Sequence, residues 1–314
     1  MQPLNYLNTT GGMIWTAACA LFGIFAAWLY YRVINRIPAA WLCDYNETPS
    51  PELLSGKRVN FARSGIIMSV VTAAALVLCR LQFNKGYDIY FAVFAFIIII
   101  ALMIAICDIK YTIIPDQFTI AVAVLGAAVS VYDLIRGYGI LHNTWWSRVA
   151  GAALGAAVMI IIDFIGMIIY KKDGMGFGDV KLFAAVGIIT GFPGTIYAFI
   201  ISMVTATVCF AVIMIIVRIL VRKNAKSAQS GTAPDEEVGQ AQASDAAEEA
   251  VPAAEADGDE AAEPDPSETE EPAGEENTKG SYLAFGPYIA IALICYLAFN
   301  DFIYNMVELY LRLF

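Results

Sequence analysis

Two aspartates in this 314-residue chain stand where a long apolar run meets water. Asp108 closes one such run, in Cys107-Asp108-Ile109-Lys110-Tyr111-Thr112-Ile113-Ile114-Pro115-Asp116. Asp179 opens another, in Gly174-Met175-Gly176-Phe177-Gly178-Asp179-Val180-Lys181-Leu182. Two carboxylates brought close together cannot both ionise easily, so they share a proton. One can then deprotonate a water while the other polarises a carbonyl. Three glycines ahead of Asp179 allow a sharp bend and a close approach to the backbone. A turn that starts a helix uses Gly and Asp in the same way, with Asp as the N-cap. The second acid upstream is what makes a pair out of an ordinary cap.

The elements that must position these acids are membrane helices. Hydrophobic residues make up 59% of the chain, and mean hydropathy is +0.64, which excludes an ordinary soluble domain. Long apolar runs without period-two alternation select helices over a barrel. The fold class is therefore all-α, a polytopic membrane protein of about eight transmembrane helices. The net charge of −10 is misleading, because 17 of the 29 acids lie between Asp235 and Glu276. Outside that stretch the chain is basic. The stretch has no aromatic residue and too little apolar surface to offset chain entropy, which predicts a disordered acidic cytoplasmic insert. The expected organisation is a membrane domain over 1–222, the acidic loop over 223–280, and a last helix with its C-terminal segment over 281–314.

Spans are predicted at Met13 to Tyr31, Gly65 to Cys79, Ile89 to Cys107, Phe118 to Val131, Val149 to Tyr170, Val180 to Thr190, Thr195 to Val221 and Tyr282 to Phe299. Arg63 and Arg80 bracket the second, with side chains expected to snorkel to the interface. The sixth is short, and Gly191-Phe192-Pro193-Gly194 turns the chain after it; a re-entrant segment is the alternative. With both termini outside, 14 of the 19 Lys and Arg side chains collect on the inner side, the bias expected of cytoplasmic loops. The first span carries no cleavable-signal pattern and is expected to stay. Two crossings separate Asp108 from Asp179, so both fall on the cytoplasmic face.

Other residues have competing readings. Asp116 follows Pro115 at the start of a span, where an N-cap is the expected role. Lys181 either holds a carboxylate or meets lipid phosphate. Asp163 lies inside the fifth span, where an acid is costly. It reads as a structural partner to a neighbouring helix, with membership of the site as the alternative. His142, the single histidine, sits beside Trp145 and Trp146 as an interfacial residue. None of the six cysteines shares a Cys-x-x-Cys spacing, so no metal or cofactor is expected.

Together, the segment from Asp108 to Asp116 and the segment Gly176-Phe177-Gly178-Asp179-Val180-Lys181-Leu182 resemble the two signature segments of the type IV prepilin peptidase family, membrane-embedded aspartic proteases of the GxGD class. Phe22-Gly23-Ile24-Phe25 through Tyr31-Arg32-Val33-Ile34-Asn35-Arg36-Ile37-Pro38 resembles the family's first helix and its exit. Phe285-Gly286-Pro287-Tyr288 resembles the start of its last helix. The resemblance implies removal of a short basic leader from prepilin or pseudopilin N-terminal segments in the bacterial cytoplasmic membrane. It implies Asp108 and Asp179 as the catalytic dyad, supported by Gly176, Gly178, Lys181, Pro115 and Asp116, with no nucleic-acid partner. Many members carry two Cys-x-x-Cys pairs between helices one and two that accompany N-methylation. Here Arg36 to Arg63 holds only Cys43, which points to a peptidase alone. The competing classes are a non-proteolytic pilin-binding assembly factor and an ion-coupled transporter.

Overall fold

The computed structural model describes residues 10–43, 51–54, 58, 61–83, 87–137, 139–142, 144–170, 176–230 and 284–313. Most of the glycine run ahead of Gly176 and nearly all of the acidic stretch lie outside these residues, as does the side chain of His142.

Among the described residues every regular element is helical. The long helices are α1 (Thr10–Ile34), α2 (Phe61–Gln82), α3 (Asp88–Tyr111), α4 (Asp116–Arg136), α5 (Trp145–Tyr170), α6 (Phe177–Ser230) and α7 (Gly286–Leu313). All seven are long and apolar enough to cross a membrane. The protein is a multi-pass membrane protein, as the composition predicts.

Helix α6 accounts for the difference between about eight expected spans and seven helices. A straight helix of 54 residues would be about 80 Å long, far beyond a hydrocarbon core of about 30 Å. Gly191 breaks it with φ 70° and ψ 176°, a conformation open essentially to glycine alone. Phe183 and Phe199, sixteen residues apart, bring their ring centroids within 6.1 Å. Along an unbroken helix their Cα atoms would be about 24 Å apart, so the chain turns back at Gly191. The first arm, 177–190, and the start of the second are thus the sixth and seventh predicted spans.

The chain divides into two compact units, Met1–Val212 with Ser281–Phe314, and Ile213–Gly280. In the first, α3 is the central helix, burying Phe94, Ile97, Ile98, Ile104 and Cys107 completely. It packs against α2, α4 and α7, while α1 lies against α2. Helix α5 crosses the first arm of α6 at small residues: a Cβ on Gly155 would lie 2.7 Å from the Phe183 carbonyl oxygen. Small residues of this kind let helices approach closely where lipid supplies no hydrophobic drive. In the second unit, residues 213–222 are helical and exposed.

One expectation about a charged residue needs correction. Arg80 does not snorkel. It is 4% exposed, donates from Nη1 to Asp88 Oδ1 at 2.8 Å and to the Phe83 carbonyl, and lies over the Trp15 ring at 4.5 Å. A carboxylate and a carbonyl hold Nη1 inside the bundle, while Nε is buried without a hydrogen-bond partner. Arg58 is likewise buried. It donates to the carbonyls of Leu53, Ile34 and Ile37, closing the C-terminal end of α1, where carbonyls have no helical partner.

Candidate active site

Asp108 lies in the last turn of α3. Its backbone carbonyl accepts the N–H of Thr112 at 2.8 Å, and Thr112 ends the helix in the left-handed region at φ 55°. That sharp exit leads through Ile113 and Ile114 to Pro115, the N-cap of α4. Asp179 lies in the first turn of α6, its N–H donated to the Gly176 carbonyl at 3.0 Å. Both acids are buried, 4% and 7% exposed, on segments that touch where Gly178 packs against Ile114.

Their surroundings differ. Asp108 Oδ2 accepts the backbone N–H of Gly286 at 2.8 Å, from the first residue of α7. Asp179 Oδ1 is buried with no hydrogen-bond partner. An N-cap carboxylate accepts from the N–H of its own first turn, so a buried, unpartnered oxygen inside the turn is not a cap. A buried polar atom without a partner is costly, and Asp179 carries one at the start of its helix.

Around the acids the two segments interlock. Lys181 Nζ donates to both oxygens of Asp116, at 2.9 and 2.8 Å, and stands over the Phe177 ring at 4.9 Å. Asp116 is therefore not the N-cap. Pro115 occupies that position with no side-chain cap bond, because an X-Pro unit is already extended and starts the helix by itself. Of the two readings of Lys181, the structure shows the carboxylate, and that carboxylate is Asp116. Gly178 is packed beneath Ile114, where a Cβ would lie 3.1 Å from the Ile114 Cβ.

Neither Gly176 nor Gly178, the described glycines of the motif, takes a positive φ; Gly174 lies outside the described residues. The positive-φ glycines among the described residues are Gly137 and Gly191. A Cβ on Gly176 would meet nothing within 4 Å. Gly178 serves close approach within a helical turn. Asp163 is half-buried in the middle of α5. Two residues of this bundle escape a reading of the sequence alone, the buried pair Asp133 and Arg148.

Residues 95–212 match the model of the type IV leader peptidase family, a stretch that holds Asp108, Asp116, Asp179 and Lys181. This segment is similar to that family. The Prepilin leader peptidase/N-methyltransferase of Bacillus subtilis is similar to the chain, 26% identical over 136 residues. The match covers 43% of this chain and 48% of that relative, so the chain spans about half the length of the leader peptidase it resembles. No solved structure matches it.

Proposed function

We propose that this protein is a membrane-embedded aspartic endopeptidase that removes the basic leader of prepilin-like substrates at the cytoplasmic face of a bacterial inner membrane. The observation that supports the reading is the burial of two aspartates, one on each of two motif segments that interlock through Lys181 with Asp116 and Gly178 with Ile114. Hydrolysis needs one proton held between them. The ionised carboxylate takes a proton from a water, the resulting hydroxide attacks the scissile carbonyl, and the protonated partner donates to the carbonyl oxygen. Collapse of the tetrahedral intermediate returns a proton to the leaving amine and resets the pair. The Gly286 N–H supports the Asp108 carboxylate by a charge-assisted hydrogen bond. The open space at Gly176 admits an extended substrate backbone.

Peptidase activity without methyl transfer is the finer form of the proposal. The connection between α1 and α2 contains a single cysteine, Cys43, whose thiol donates to the Ala39 carbonyl at 3.2 Å. The test is incubation of the purified protein with a synthetic leader peptide and S-adenosylmethionine, followed by mass spectrometry. Cleavage at one bond, with an unmodified new N-terminus, supports the reading. An intact peptide across several leader types favours the pilin-binding assembly factor, and an N-methylated product contradicts the peptidase-only form.

A further inference from the structure

The first arm of α6, which carries Asp179, is tied to α4 at both ends by charge. At the near end Lys181 holds Asp116, the first residue of α4. At the far end Arg148, from α5, donates through Nη2 to Asp133 near the end of α4. Through Nη1 it donates to the carbonyls of Ile188 and Ile189, at 3.2 and 2.9 Å. These are among the last carbonyls before the break at Gly191, where helical partners run out. A guanidinium there complements the negative end of the arm. Asp133 is fixed in turn by the Tyr90 hydroxyl at 2.6 Å and the Ile140 N–H at 3.3 Å. Between the tethers Gly126 faces Ile188 and Ile189, so arm and helix run side by side in the same direction.

We infer that Asp116 and Asp133 are positioning residues, which set the height of the Asp179 helix along the bundle through Lys181 and Arg148. The inference rests on the reading of Asp179 as catalytic. The arm's buried face is Val180, Leu182, Phe183, Val186 and Ile189. Apolar contacts in lipid are non-directional and tolerate sliding; the tethers do not. The near tether lies two residues from Asp179, and a slip of one turn would move the acid by about 5.4 Å relative to Asp108. Two anchors on one helix prevent both the slip and a tilt about either end.

The test compares Asp116→Asn, Lys181→Met and the swapped double variant D116K/K181D with wild type, with Glu308→Gln at an exposed pair as control. The near pair is half-exposed, so these variants keep the fold; D133L/R148M, which replaces the buried pair by apolar side chains, probes the far tether. Cleavage kinetics should show kcat lowered about 10- to 100-fold in the single variants, with KM little changed and most of kcat restored by the swap. Hydrogen exchange should quicken over 177–190 in Lys181→Met. Unchanged kcat in both single variants, or a loss lying wholly in KM, overturns the inference. If wild type cleaves no leader, the peptidase reading fails, and exchange still decides the tether: faster exchange over 177–190 upholds it, and unchanged exchange overturns it.

Discussion

Gly286 donates its backbone N–H to Oδ2 of Asp108 at 2.8 Å, across 178 positions of sequence. The contact joins the first residue of the last helix to the last turn of the central one. A Cβ on Gly286 would lie 2.7 Å from the same oxygen, too close for an unshifted carboxylate. Gly286→Ala should therefore displace Asp108 and lower kcat about 10- to 100-fold while the protein remains folded. Cleavage kinetics and a thermal melt in detergent, run on the same preparation, check this.

The two described glycines of the Asp179 motif should respond differently to alanine. At Gly176 a Cβ meets nothing within 4 Å, and at Gly178 it presses on Ile114. Gly176→Ala should leave stability within about 0.5 kcal/mol of wild type. Gly178→Ala should lower activity by moving the Asp116 loop away from the Asp179 helix. Paired chemical denaturation and cleavage assays separate the two effects.

Gly191 is the hinge of α6, and its φ of 70° with ψ near 180° is strained for any residue with a side chain. Gly191→Ala should destabilise the protein by about 1 to 3 kcal/mol. Unfolding in detergent and denaturant reads the shift directly.

If the substrates carry basic leaders, as proposed, the acidic stretch carried on the same chain should raise their local concentration by a screened, long-range attraction. Deletion of Ala233 to Asn277 should lower the cleavage rate at low salt and leave it unchanged at high salt. A titration of rate against ionic strength, for the full chain and the deletion, measures this.

Much of this arrangement is legible in the sequence because the membrane imposes it. The apolar run before Asp108 must be a helix, and Gly191-Phe192-Pro193-Gly194 must interrupt one, since α6 is too long to cross once. Contacts between distant segments are not legible. Asp133 and Arg148 stand at the ends of consecutive helices, and only the packing shows that they meet and that Arg148 reaches the carbonyls of α6. Arg80 looks like an interfacial anchor until Asp88, from the next helix, is seen to hold it. The role of Asp116 shifts by one residue, because Pro115 supplies the helix start and frees the carboxylate for Lys181. The glycine pattern suggests a bend at 176 and 178, where close packing is what the helix uses.

The most direct test is cleavage of a co-expressed prepilin-like substrate by wild type, Asp108→Asn, Asp179→Asn and the double variant, at equal membrane levels. Each single change should lower the rate by about 10²- to 10⁴-fold. Because the two acids act as one unit, the double variant should be no worse than either single one. Wild-type cleavage by Asp108→Asn or by Asp179→Asn would contradict the dyad and place the catalytic groups elsewhere.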